Sequence, residues 1–125
     1  FLVLLRENYS GDVVCEPRHR SWFEENANEM LKQFKIARVA ADPACVPNAA
    51  HPGGNESLAY FRLHGSPRLY YSEYSGDFLE TLATQLKELA RSKQVWCIFD
   101  NTALGFATQN ALELKAKLAS REPRS

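Results

Sequence analysis

The chain has 125 residues, 45% hydrophobic and 24% charged, with fifteen Lys and Arg balancing fifteen Asp and Glu. That is the size and mix of a single globular domain, which argues against disorder, and the even charge removes any general pull toward nucleic acid or anionic lipid: a charged partner must be met by a local patch. Cys15, Cys45 and Cys97 are odd in number, widely spaced and without a C-x-x-C pair, which fits neither a disulfide framework nor a zinc knuckle and favours a reducing, cytoplasmic setting.

Residues 1–9 read as the end of a helix, stopped by the turn-forming Asn8-Tyr9-Ser10-Gly11-Asp12. The opening run Phe1-Leu2-Val3-Leu4-Leu5 is apolar for only five residues before Arg6, too short for a membrane span and without the marks of a signal peptide; opening without Met in the middle of an apolar run, the chain reads as a piece of something longer. A short strand, Val13 to Glu16, is cut off by Pro17. Ser21 and Glu24 have the spacing of a capping box, and Phe23, Ala27, Met30, Leu31 and Phe34 behind them recur at helical intervals. Ile36 to Ala41 is the next strand. The stretch from Asp42 to Ser57 holds prolines, adjacent glycines and asparagines without periodicity, and reads as a long irregular loop. A strand from Leu58 to His64 follows, then the loop Gly65 to Tyr74, then a helix capped by Ser75 with Phe78, Leu79, Leu82, Leu86 and Leu89 in one stripe. Val95 to Phe99 is a fourth strand, and a last helix from Phe106 to Ala119 places Ala107, Asn110, Ala111, Leu114 and Leu118 on one face.

Strands alternating with helices imply an α/β fold with parallel strands joined by crossovers. Four such strands are half of a (β/α)8 barrel of TIM type, which takes ~250 residues, so residues 1–125 are expected to form a single partial domain, the C-terminal half of a barrel whose N-terminal half is missing. A half barrel leaves its sheet edges unpaired and needs that other half, or a partner chain, to close.

All four strands deliver polar groups at their carboxyl ends, where parallel barrels place their chemistry. Because side chains alternate along a strand, Tyr60, Arg62 and His64 share one face. By the same alternation Arg38, Ala40 and Asp42 share a face and are expected to point inward, and Val14 and Glu16 precede Arg18, His19 and Trp22. Asp100 and Asn101 point to opposite faces, one toward the site and the other a loop cap. Unpaired ions in a barrel interior are costly, so these carboxylates and arginines are expected to face one another or a ligand. His64 suits an acid or base near neutral pH, or a hydrogen-bonded core position; Arg62 with Glu16 or Asp42 is also readable as a structural ion-pair network. The loop from Arg68 to Tyr74 holds three tyrosines, Tyr70, Tyr71 and Tyr74, with Arg68; such groups suit stacking on a sugar or base and contact with phosphate, and two of the tyrosines equally suit packing on the barrel rim. Asn110, an amide on an inward helix face, reads as structural. Glu16, His19, Asp42 and His64 are of metal-capable type but lack a diagnostic spacing, so no cofactor is expected beyond a conceivable divalent ion.

The segments Cys15-Glu16-Pro17-Arg18-His19-Arg20-Ser21-Trp22, Tyr60-Phe61-Arg62-Leu63-His64-Gly65, Tyr71 to Ser75, Phe99-Asp100-Asn101-Thr102 and Ala107 to Ala111 together resemble the YecE-like family, a domain of unknown function numbered seventy-two. The resemblance covers nearly the whole chain and implies a TIM-type barrel of about twice this length, of which this is the carboxyl-terminal half. It marks Glu16, Arg18, His19, Trp22, Asp42, Arg62, His64, Gly65, Asn101 and Asn110 without supplying an activity. Asp100-Asn101 stands where relatives commonly carry Asn-Asn, and Arg20 where Pro is common.

These readings lead to an expected hydrolase or lyase acting on a phosphorylated or sugar-containing small molecule. His64, Glu16 and Asp42 are the acid/base candidates, and Arg18, His19, Trp22, Arg62, Arg68, Tyr71, Asp100 and Asn101 the binding candidates. The alternative is a non-catalytic module that holds a nucleotide or nucleic-acid end, recognised by salt-dependent affinity without turnover.

Overall fold

The computed structural model describes residues 1–120. Helix α1 (Leu2–Asn8) leads into strand β1 (Val13–Cys15). Arg6 ties this start to the next helix, donating from Nε to the Phe34 carbonyl at 2.7 Å and from its Nη atoms to Gly11 and Lys35 carbonyls at 2.7 and 2.9 Å.

The expected cap at Ser21 is not formed. His19 Nδ1 accepts the Ser21 N–H at 3.2 Å and lies 2.8 Å from its hydroxyl, so Ser21 is drawn into a 3-10 turn, Arg20–Phe23, and helix α2 starts later, at Glu25–Gln33 with Glu24 before it. Leu31 of the helix and Phe23 of the turn before it are buried, whereas Met30 is exposed.

The expected strand Ile36 to Ala41 is two strands, β2 (Ile36–Arg38) and β3 (Ala40–Asp42), with Val39 between them. β2 pairs parallel with β1, while β3 pairs parallel with β5 (Leu58–Leu63), which pairs parallel with β6 (Gln94–Phe99). The Val39 N–H donates to Cys15 O at 2.8 Å, so one chain segment passes from the first sheet to the second. The expected irregular loop contains a 3-10 turn, Pro47–Ala50, and a two-residue strand β4 (Gly53–Gly54) antiparallel to β2. That pairing needs glycine: Gly54 has φ +68°, and a Cβ there would run into the Ile36 carbonyl.

Register fixes the faces. Ala40, Ala41 and Asp42 stand opposite Phe61, Arg62 and Leu63, so Ala41 shares the face of Arg62, and Ala40 and Asp42 share that of Phe61 and Leu63. The expected inward set of Arg38, Ala40 and Asp42 is therefore reversed. Both faces of this strand are small and apolar except at its ends, so alternation alone had no anchor.

On the helix face, Ala40, Ala59, Phe61 and Leu63 meet Leu79, Leu82, Ala83 and Leu86 of α3 (Gly76–Leu89) and Leu114 of α4 (Phe106–Ala119). Each fully buried leucine contributes roughly 2 kcal/mol by area. Ser75 starts α3 as expected, its hydroxyl accepting the Phe78 N–H at 3.1 Å. Ala111 and Leu118, expected on the packed face of α4, are instead exposed on the rim of an apolar groove of about 490 Å³ between α3, β6 and α4. Cys97 lines that groove, and burial pushes its thiol up to about 12. Arg38 is buried beneath the 43–54 segment with its guanidinium 4.8 Å from the Phe23 ring centre, and burial lowers its pKa.

Candidate functional site

The parallel ladder continues one residue past β5 and β6. The His64 N–H donates to Asp42 O at 2.8 Å and the Asp100 N–H to Leu63 O at 2.9 Å. By alternation His64 and Asp100 then stand on the face of Tyr60, Arg62, Trp96 and Ile98, opposite the helices. Glu16, just past β1, reaches the same place.

His64 is the centre of this cluster and is 1% exposed. Its Nδ1 lies 2.8 Å from the Asp100 carboxylate, with Oδ2 in hydrogen-bonding position. Its Nε2 lies 3.1 and 3.2 Å from the two Glu16 oxygens and 3.4 Å from Arg18 Nη2. Arg18 pairs with Glu16 at 2.6 Å, and Arg62 with Asp100 at 3.0 Å and Glu16 at 3.9 Å. Two carboxylates and two guanidiniums thus enclose one imidazole.

Each ring nitrogen faces a carboxylate oxygen. A neutral ring with its proton on Nδ1 donates to Asp100 while its Nε2 accepts from Arg18 Nη2 at 3.4 Å, and a ring that carries both protons donates to both carboxylates. The Nδ1 contact is the shorter and fixes the ring, as a carboxylate does for a catalytic histidine. The Nε2 side, with longer contacts and with Arg18 more than half exposed, is where a proton can leave or arrive.

The other polar residues at these strand ends form a second, separate network. Asp42 accepts the Tyr74 hydroxyl at 2.7 Å, and that hydroxyl accepts the Gly65 N–H at 2.8 Å. Burial first, and the Asp42 hydrogen bond second, push the Tyr74 hydroxyl well above the ordinary phenol range. Asn110 Oδ1 accepts the Tyr74 N–H at 3.0 Å and an Asn101 amide proton at 2.9 Å, and its own amide donates to Tyr74 O at 3.2 Å. Asn101 also donates to Ser72 O at 2.9 Å. Gly65 sits at φ +102°, and a Cβ there would crowd Arg68 O and Tyr70 N at 3.1 Å each, so this turn admits glycine alone without strain.

Of the sequence candidates, Glu16, Arg18, Arg62, His64 and Asp100 come together. Asp42 and Asn101 do not: they lie on the helix face and secure the 65–74 loop. His19 is turned to Ser21, and Trp22 lies in the same 3-10 turn. Arg68 stacks on Tyr71 at 3.9 Å from the ring centre, in the loop above the cluster. The four metal-capable residues do not converge, and among the described residues no three His, Cys, Asp or Glu side chains form a metal-binding group. Of the three loop tyrosines, Tyr70 stands with its ring perpendicular to that of His64 at 6.0 Å, whereas Tyr74 is buried in the second network.

The fold and site define a mixed α/β protein with a charged cluster at the carboxyl ends of parallel strands. The chain matches the family described as Protein of unknown function DUF72 over residues 1–125, and belongs to it. It is similar to the solved structure of a DUF72 family protein from Thermotoga maritima, with 31% identity and a TM-score of 0.78 over 95% of this chain and 50% of that one. Two structures of a DUF72 family protein from Enterococcus faecalis share the fold, one at 22% identity and TM-score 0.74 over 95% of this chain and 53% of that one, the other at 20% and 0.72 over 99% and 56%. The chain spans about half the length of these proteins. No curated protein matches it. Among the described residues no helix is long and apolar enough to cross a membrane.

Proposed function

We propose that the chain is the carboxyl-terminal half of a (β/α)8-type barrel and carries one wall of a catalytic site at the mouth of that barrel. The parallel register, the polar face opposite the helices and the half-length match to the relatives support the half barrel. The reaction is proton transfer in hydrolysis or elimination on a small molecule with an anionic group. One observation carries this reading: His64 has Nδ1 fixed on Asp100 and Nε2 turned to Glu16 and the exposed Arg18.

In this scheme an arriving anion takes Arg18, whose carboxylate partner is Glu16, and leaves Glu16 and the Nε2 proton facing the bound molecule. Arg62 keeps both carboxylates in place. His64 with Glu16 then supplies or removes a proton, an effect worth about 10²–10⁴-fold in rate. The free state of Cys15, Cys45 and Cys97 suits the reducing, cytoplasmic compartment inferred for the protein.

The test uses the full-length protein with a panel of phosphate esters and glycosides, followed by turnover. His64→Ala is expected to lower kcat about 10²–10⁴-fold and Arg18→Ala to raise KM. Unchanged turnover in both variants, on a substrate the wild type converts, removes the assignment. The Arg68–Tyr71 stack favours a second reading, a nucleotide-holding module without chemistry, which predicts salt-dependent oligonucleotide binding and no turnover.

A further inference from the structure

Tyr70 occupies a backbone position made for glycine. Its φ is +67°, a region that costs an ordinary L-residue energy and is a marked outlier for a bulky aromatic. The turn is held by the backbone: the Tyr70 N–H donates to His64 O at 2.6 Å, and Tyr70 O accepts the Ala103 N–H at 3.0 Å. The neighbouring N–H groups of Tyr71 and Ser72 both donate to Arg68 O, at 3.1 and 2.9 Å. None of these bonds uses the Tyr70 side chain, so glycine would keep all of them and relieve the strain.

The ring therefore has to be explained by something other than the turn. Packing does not explain it either, for Tyr70 is 44% exposed. What the ring does have is position. It stands perpendicular to His64 with ring centres 6.0 Å apart; Leu69, next to it in the chain, and Leu104, next to the Ala103 that donates to its carbonyl, are also exposed. Strain held at a residue next to a charged cluster by surrounding structure is a feature of ligand-contacting segments.

We propose that Tyr70 is a stacking platform for the sugar ring of a sugar phosphate, and sets which substrates reach His64. This rests on the anion-binding reading of the Arg18, Arg62 and His64 cluster and names the ligand class for it. A sugar offers an apolar C–H face to one aromatic ring and a rim of hydroxyls that both donate and accept. The second tyrosine of the loop, Tyr71, already has Arg68 over its ring at 3.9 Å, leaving Tyr70 as a single platform rather than half of a sandwich around a flat base. Arg18, Glu16, Arg62 and Asp100 form a chain of alternating donors and acceptors, with successive contacts of 2.6, 3.9 and 3.0 Å, complementary to the hydroxyl rim and to the phosphate.

The experiment compares wild type with Tyr70→Gly and Tyr70→Phe in the full-length protein. Melting temperature is measured together with calorimetric binding of ribose 5-phosphate, glucose 6-phosphate, inorganic phosphate and AMP. Tyr70→Gly is expected to melt at the wild-type temperature or above it, to bind inorganic phosphate as wild type does, and to lose about tenfold or more in affinity for the sugar phosphate that wild type prefers. Tyr70→Phe is expected to keep most of that affinity. A Tyr70→Gly protein that melts several degrees lower, or holds the sugar phosphate as tightly as wild type, overturns the proposal. So does wild type that prefers AMP over ribose 5-phosphate by tenfold, which would assign the ring to a base. Phosphate binding with no gain from either sugar overturns this inference alone, and no binding of any probe overturns the anion-site reading with it.

Discussion

Two polar clusters sit at the carboxyl ends of the same strands, on opposite faces, and they are built on different principles. On the site face Glu16, Arg18, Arg62, His64 and Asp100 are ionic, and Arg18 and Arg62 are substantially exposed. On the helix face Asp42, Tyr74, Asn101 and Asn110 form a largely buried network in which Asn110 is bonded through both ends of its amide. The first holds charges that a ligand can reach and rearrange. The second is held together by the protein's own groups, with Asn101 Oδ1 left without a partner among the described residues, and fixes the loop that begins at Gly65. The difference separates chemistry from support more clearly than residue type does, because each cluster contains an aspartate at the carboxyl end of a strand.

The comparison is broken most severely at Asn110. Asn110→Ala strips partners from the Tyr74 N–H, the Tyr74 carbonyl and an Asn101 amide proton, and the expected cost is about 3 kcal/mol from those unmet buried groups. Urea unfolding reads it; a loss near zero would mean that water replaces the amide.

Tyr74→Phe comes next. It leaves the Gly65 N–H and one Asp42 oxygen without their partner, an expected loss of about 2 kcal/mol. The same variant changes the alkaline limb of stability. The folded state holds the Tyr74 proton more tightly than the unfolded chain does, so this contribution is complete below about pH 10, the ordinary tyrosine value, and is lost as pH rises above it. Wild type should therefore lose stability faster than Tyr74→Phe between pH 10 and higher values, in unfolding curves taken at stepped pH; parallel curves would contradict the burial of that hydroxyl.

The smallest effect belongs to the ionic side. Arg62→Met removes a partly exposed ion pair with Asp100, and the expected change in unfolding free energy is below about 1 kcal/mol, while KM for an anionic substrate rises. A loss comparable with that of Asn110→Ala would make the ionic cluster structural and erase the contrast.

Much of this arrangement was legible in the sequence. Tyr60, Arg62 and His64 alternate with Ala59, Phe61 and Leu63, so one face of β5 was plainly apolar and the other polar. Ser75 before an apolar stripe marked α3, and Asn110 on an inward face announced a bonded amide. Asp42 was misplaced because Ala37, Val39, Ala40 and Ala41 make both faces of its strand equally apolar. Asp100 could not be assigned because Trp96 and Ile98 on one side of β6 are as apolar as Val95, Cys97 and Phe99 on the other.

By itself, then, the sequence determined the alternation of helices and strands, the polar strand ends and the position of His64, since these follow from local periodicity and from residue type. The tertiary structure decided which aspartate meets His64. That choice depends on register between strands: Leu63 opposite Asp42 turns one carboxylate to Tyr74, and the ladder one step past Phe99 turns the other to the imidazole. Register is a pairing between distant segments, set by hydrogen bonds and by which face the helices cover, and no single strand contains it.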